Sequence, residues 1–289
     1  MSAERSGSPR RAALPLAFLL IGLLALPASA GGTRASGPSG TIAVGGATVY
    51  LISPASGASR RVRAPDRVVD FRLSPDGRRI AVAGLTGVWV MKRDGSAARR
   101  IFDGRNVKVG AGHIAWSPSG RRLAFVRGES LFTMLDDGKN VRRVTGHADA
   151  PDWWPSEGRI VFVGNPERSS RNGTISAIGT DGRGLHRIVS DGTWYGPRVS
   201  PDGSKLAFYR NGVSGIYVAP AKGGKARLLI RNGSQPVWSP DGRYVAFTRD
   251  AHCTEGGCTN RVFIVPASGG KPRAYGPPIF DIGSVSWSR

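Results

Sequence analysis

One turn, Ser-Pro-Asp-Gly, recurs behind a large apolar residue and ahead of an apolar-Ala-apolar triplet. It appears as Leu73-Ser74-Pro75-Asp76-Gly77 before Ile80-Ala81-Val82, and as Trp116-Ser117-Pro118-Ser119-Gly120 before Leu123-Ala124-Phe125. It returns as Val199-Ser200-Pro201-Asp202-Gly203 before Leu206-Ala207-Phe208, and as Trp238-Ser239-Pro240-Asp241-Gly242 before Val245-Ala246-Phe247. A degenerate copy, Trp153-Trp154-Pro155-Ser156-Glu157, aligns without a gap to Ile160-Val161-Phe162. Successive copies lie 43, 37, 46 and 39 residues apart. Pro pre-sets φ at the first corner, Asp tolerates the second, and Gly accepts the left-handed conformation that leads back into a strand. Each copy is therefore read as a hairpin.

A second hairpin follows in each unit. Its leading strands are Val88-Trp89-Val90-Met91, Phe132-Thr133-Met134-Leu135, Ile175-Ser176-Ala177-Ile178, Ile216-Tyr217-Val218 and Val262-Phe263-Ile264-Val265. These turn at Asp94-Gly95, Asp137-Gly138, Asp181-Gly182, Gly223-Gly224 and Gly269-Gly270. Four strands in roughly forty residues make a propeller blade. Half-units remain at both ends: Gly40 to Val44, Thr48 to Ile52 and Arg60 to Val62 lack a first strand, and Val285 to Ser288 is a first strand alone. Joined, they complete a sixth blade and leave no unpaired edge in the ring. The expectation is an all-β, six-bladed β-propeller over residues 38–289, closed by pairing its N- and C-terminal strands.

The Ser-Pro-Asp-Gly hairpins with their apolar-Ala-Phe strands resemble the WD-like repeats of the TolB β-propeller family. The resemblance covers residues 38–289 and implies the propeller fold. Similar blades occur in prolyl-peptidase-like enzymes and in many binding proteins, so the motif speaks for fold rather than activity. The α/β domain that precedes the propeller in TolB has no counterpart here, where residues 31–37 are read as a linker.

Residues 1–30 read as a signal peptide. Arg5, Arg10 and Arg11 precede an apolar run from Ala12 to Leu26, and Ala28-Ser29-Ala30 places small residues where a signal peptidase cuts. Export to the cell envelope, the periplasm or the outside is expected, with no membrane span after cleavage. In that setting the two cysteines, Cys253 and Cys258, read as a disulfide pinching one loop. A metal site with His252 would have three ligands where structural zinc takes four, and no metal or cofactor is expected.

Lysine and arginine number 41 against 20 acids, a formal charge of +21. Arg60-Arg61, Arg99-Arg100, Arg142-Arg143, Arg187, Arg227 and Arg273 all fall on fourth strands. Charge on an outer strand blocks edge-to-edge pairing, and it would also hold anionic polymer. A nucleic-acid partner is not expected, and a monomer is.

The Ser-Pro-Asp-Gly and Asp-Gly turns fall on one face of the disc, which reads as structural. The opposite face carries the longer links and the crossings between blades, where binding residues tend to sit. Its candidates are His147, Asp149 and Asp152, then Trp194 and Tyr195, which have no repeat counterpart. At the mouth of the channel the equivalent positions are Asp70, His113, Ala150, Gly196, Gln235 and Ser284. One acid and one histidine do not make a paired-carboxylate hydrolase, and no G-x-S-x-G elbow occurs, so no catalytic residue is assigned. The reading is a non-catalytic binding module for a protein or glycan of the envelope. The alternatives are a hydrolase or lyase near Asp70 and His113, or an electrostatic adhesin for anionic wall polymer.

Overall fold

The computed structural model describes residues 37–46, 48–104, 113–165, 170–190, 192–210, 215–254, 257–280 and 282–289, with the side chains of 165, 170–172, 251–254, 257–258 and 280 left aside. The expected signal peptide and all but the last residue of the linker lie outside the described residues. The compact unit is Gly37–Arg289.

Blade I contains β1 (Thr41–Gly45), β2 (Val49–Ile52) and β3 (Ser59–Val62). Blade II holds β4 (Val68–Leu73), β5 (Arg79–Gly84), β6 (Gly87–Lys92) and β7 (Arg99–Asp103). Blade III holds β8 (Ile114–Trp116), β9 (Arg122–Arg127), β10 (Ser130–Leu135) and β11 (Arg142–Gly146). Blade IV holds β12 (Asp149–Trp153), β13 (Arg159–Asn165), β14 (Ser170–Gly179) and β15 (His186–Val189). Blade V holds β16 (Trp194–Val199), β17 (Lys205–Arg210), β18 (Gly215–Pro220) and β19 (Arg227–Arg231). Blade VI holds β20 (Ser234–Trp238), β21 (Tyr244–Thr254), β22 (Gly257–Pro266) and β23 (Arg273–Phe280). The last strand, β24 (Ser284–Ser288), pairs with β1 from Thr41↔Ser288 to Gly45↔Ser284 and becomes the innermost strand of blade I.

All six sheets are four-stranded and antiparallel, and their innermost strands lie against one another in a closed cycle. The chain is an all-β, six-bladed propeller, closed as its two half-units require.

The apolar-Ala-apolar triplet has a packing cause. Side chains alternate across a strand, so the middle residue faces the next blade and its large neighbours face the previous one. Ala81 joins the cluster of Trp116 and Phe125, Ala124 that of Trp153 and Phe162, and Ala207 that of Trp238 and Phe247. A small residue on one side leaves room for an aromatic on the other, and all of these are nearly sealed from solvent. Burying one such aromatic contributes roughly 2 kcal/mol or more.

The repeat serines are equally specific. Ser74 Oγ donates to Asp76 Oδ1 (2.5 Å) and accepts from the Arg79 N–H (2.9 Å), tying the turn to the next strand. Ser200 and Ser239 repeat the arrangement with Asp202 and Asp241.

The inner strands bulge at one repeat position. Ala150 (φ 48°), Gly196 (φ 53°) and Gln235 (φ 53°) are left-handed there, each followed by a proline. The ladder is interrupted at that point, and a residue without an N–H suits a break in the ladder. Left-handed backbone at Ala150 or Gln235 costs on the order of 1 kcal/mol.

Candidate functional site

Strand alternation places two rings of side chains on the axis. The first ring is Asp70, His113, Ala150, Gly196, Gln235 and Ser284. Two residues further along each strand, the second ring is Arg72, Ala115, Asp152, Arg198, Val237 and Ser286. All six second-ring residues line a cavity of about 770 Å³, and no first-ring residue does. The cavity's walls rise from the second ring through the repeat tryptophans to the prolines of the Ser-Pro-Asp-Gly turns. The concavity therefore opens on the turn-lined face, the one the sequence presents as structural.

Tryptophans hold this wall. Trp116 Nε1 donates to the Arg72 carbonyl (3.0 Å), Trp153 Nε1 to that of Ala115 (3.2 Å) and Trp238 Nε1 to that of Arg198 (3.0 Å). Each indole is thus bonded to the second-ring residue of the preceding blade. Two of these rings also carry arginines: Arg79 lies 4.7 Å from the Trp116 ring and Arg122 5.3 Å from that of Trp153.

Two arginines of the second ring are buried. Arg72 and Arg198 are only 8% and 9% exposed. Arg72 Nη1 lies 2.6 Å from Asp70 Oδ1 and also donates to the Phe71 carbonyl (2.7 Å). Asp70 further accepts from the N–H groups of Phe71 and Ile114 and from the Ser284 hydroxyl. Burial alone would raise its pKa. The charges of Arg72 and His113, with the Ser284 and Ile114 hydrogen bonds, outweigh it and hold the carboxyl below the usual value. Asp70 thus joins blades I, II and III, and its oxygens are committed to that structure.

Asp152 differs. Its Oδ2 accepts from the Val199 N–H (2.8 Å). Burial raises its pKa, and the attraction of Arg198 and Arg72 does not offset that. Arg198 is pulled down to about 10, first by burial and then by the charge of Arg72, against the opposing pull of Asp152.

The other expected residues lie elsewhere. His113 Nδ1 meets Asp149 Oδ1 at 2.7 Å, and His147 Nδ1 meets Glu129 Oε2 at 3.2 Å. These are two separate pairs toward the loop-bearing face. Gln235 Nε2 donates to the Gly283 carbonyl (2.8 Å), a link between blades VI and I. Trp194 is 3% exposed and sits edge-on to Phe208 and Tyr217 at 5.0 and 4.9 Å. Blade V has Val199 where blades III, IV and VI have tryptophan, and Trp194 packs into the same interblade cluster as Val199. Tyr195 is half-buried beside Tyr209 at 5.6 Å. Cys253 pairs with Cys258 in the β21–β22 backbone register, and both side chains lie outside the described set.

The arginines of β3, β7, β11, β15, β19 and β23 are exposed on the outer strands, as their sequence positions require. Sequence reasoning missed Arg72 and Arg198. The signal was available: the register that selects Asp70 and His113 selects Arg72 and Arg198 when advanced by two residues.

No family model matches the chain. The protein Atu1656 of Agrobacterium fabrum, itself uncharacterised, is 25% identical over 212 residues, which cover 62% of this chain and 69% of that protein. TolB from Acinetobacter baumannii superposes with a TM-score of 0.71 at 15% identity, over 86% of this chain and 66% of that one. A TolB-like structure from Agrobacterium tumefaciens gives 0.67 at 17% identity, over 86% and 91%. The chain thus spans about two thirds of the first TolB structure. At these identities the likeness is one of fold.

Proposed function

Starting from a TolB-type six-bladed propeller, we propose that this chain is a non-catalytic, exported binding module that receives part of an envelope protein or glycan in the turn-lined end of its channel. The observation that carries this reading is the cavity of about 770 Å³ walled by all six blades. Recognition sites are concave, largely preformed and lined by aromatic groups with a few polar ones. Here the blade tryptophans and turn prolines form the wall, and the second ring places the polar groups. The loop-bearing face offers Tyr195 and the His113–Asp149 pair as a second docking surface, with Trp194 packed beneath. Asp70, the acid on which a hydrolase or lyase reading rests, has its oxygens taken up by four donors.

Export supports a disulfide between Cys253 and Cys258, whose backbones already face each other. Mass spectrometry of the exported protein should find both thiols blocked; two free thiols would contradict it.

A pull-down from envelope extract at low and high salt tests the function. Exposed arginine contacts weaken as the Debye length falls from about 10 Å at 0.1 M to about 3 Å at 1 M, whereas apolar burial does not depend on screening. One partner should survive high salt and be lost when the mouth is blocked by Pro118→Trp with Pro201→Trp. Replacing Arg99, Arg100, Arg142 and Arg143 by Gln should leave it bound. If only that rim variant loses binding and everything washes off with salt, the protein is an electrostatic adhesin. If only Tyr195→Ala with His147→Ala loses it, the loop-bearing face is the site.

A further inference from the structure

The second ring holds two buried arginines that differ in their direct partners. Arg72 and Arg198 stand three blades apart, on opposite sides of the axis, and both line the cavity. Asp70 neutralises Arg72. Arg198 has no such counterpart: among the described residues no carboxylate lies within ion-pairing distance of it. Its guanidinium donates from Nη1 to the adjoining Pro197 carbonyl at 3.0 Å, and the side chain lines the cavity. Asp152, in the preceding blade, has its Oδ2 on the N–H of Val199, the residue after Arg198, and attracts the guanidinium without a direct ion pair. A cation that is nine-tenths buried and unpaired is costly unless something completes it.

We infer that the floor of the cavity binds a carboxylate, carried by a small molecule or by the part of the partner that enters the channel, with Arg198 as its principal ligand. A guanidinium presents two parallel N–H groups that match the two oxygens of a carboxylate. The Ser286 hydroxyl, which accepts from the Leu73 N–H, stands on the wall as a further donor. Arg72 is already balanced by Asp70, which leaves one guanidinium to receive the ligand, and one such fork matches one carboxylate. A phosphate dianion would bring more negative charge than this floor can match. The volume, about 770 Å³, lies within the roughly 300–1,000 Å³ of ligand pockets.

This inference rests on the channel-end reading and deepens it, and the two can fail separately. The mature protein is titrated calorimetrically with N-acetylglycine, with its uncharged amide N-acetylglycinamide, and with inorganic phosphate, while the arginine Nε–H signals are followed by NMR. N-acetylglycine should bind and shift the Arg198 signal; the amide and phosphate should not. Arg198→Met should weaken binding about tenfold or more, the worth of a charge-assisted hydrogen bond. Arg198→Lys, which keeps the charge without the fork, should fall between. Asp152→Asn should tighten binding several-fold by removing a negative charge from the floor, so the inference stays testable if Arg198→Met fails to fold. Equal binding of acid and amide, binding of phosphate alone, or unchanged affinity in Arg198→Lys and Asp152→Asn would each overturn it. If the blocked mouth abolishes partner capture but Arg198→Met does not alter carboxylate binding, the carboxylate claim fails while the channel-end reading stands.

Discussion

The indole Nε1 of Trp238 donates to the backbone carbonyl of Arg198 at 3.0 Å, so the residue that marks one blade holds in place the residue that lines the cavity from the blade before. The repeat therefore both builds the ring and fixes the backbone beneath its charged floor. Trp238→Phe keeps most of the apolar packing and removes that donor from a buried carbonyl. It should cost about 0.5–1.5 kcal/mol, read as a lower urea midpoint with the m-value unchanged. An unaltered midpoint would mean that the hydrogen bond contributes nothing.

Closure is the second consequence. β24 is the innermost strand of blade I, and Trp287 Nε1 donates to the Ser39 carbonyl (2.8 Å). Deleting Gly283 to Arg289 removes that strand and the Ser284 hydroxyl that reaches Asp70. Cooperative unfolding should be lost, and a truncated protein that melts like the full chain would contradict ring closure.

Asp70 and Asp152 should give opposite pH dependences. Asp70 has a folded pKa below its ordinary 3.8. Its stabilisation is complete above 3.8 and disappears as pH falls through the folded value. Asp152 has a folded pKa above 3.8, so its contribution is greatest below 3.8 and diminishes as pH rises through the folded value. Asp70→Asn should cost about 3 kcal/mol or more at neutral pH, since it strands Arg72, and the penalty should shrink on acidification. Asp152→Asn should remove a rise in stability that the parent shows on acidification toward 3.8. Thermal midpoints from pH 7 down to about pH 3 check both; parallel curves for the two variants would contradict the assignment.

At the turn-lined face, the Asp202 carboxyl is lowered to about 2, first by the Ser200 hydroxyl and then by the Ser204 N–H and hydroxyl. Carbon-detected NMR should find it titrating near 2. Ser200→Ala should move it back toward 3.8, and an unmoved value would show that the turn's hydrogen bonds do not set it.

Strand count, hairpins and closure were legible because turn chemistry and period-2 alternation are local signals repeated along one chain. The candidate site was less so. Asp152 could be singled out from its crossing, but its neighbours Arg72 and Arg198 are embedded in Phe71-Arg72-Leu73 and Arg198-Val199. They read there as ordinary polar positions of a half-buried strand. In a propeller the innermost strand has no solvent face, and polar residues alternating along it point to the axis. Trp194 was legible as an exception to the repeat, but not as a buried member of an interblade cluster. Its burial depends on the neighbours that the folded ring brings to it, Val161 of blade IV and Phe208 of its own blade.

The most direct test of the account is site-specific photo-crosslinking in the native envelope. A photoreactive benzoylphenylalanine replaces Pro118 at the exposed rim of the cavity, or Tyr195 on the loop-bearing face. One discrete adduct is expected from position 118, suppressed when Arg198 is changed to Met, and none from position 195. A discrete adduct from position 195 alone would place recognition on the opposite face and contradict the channel-end reading.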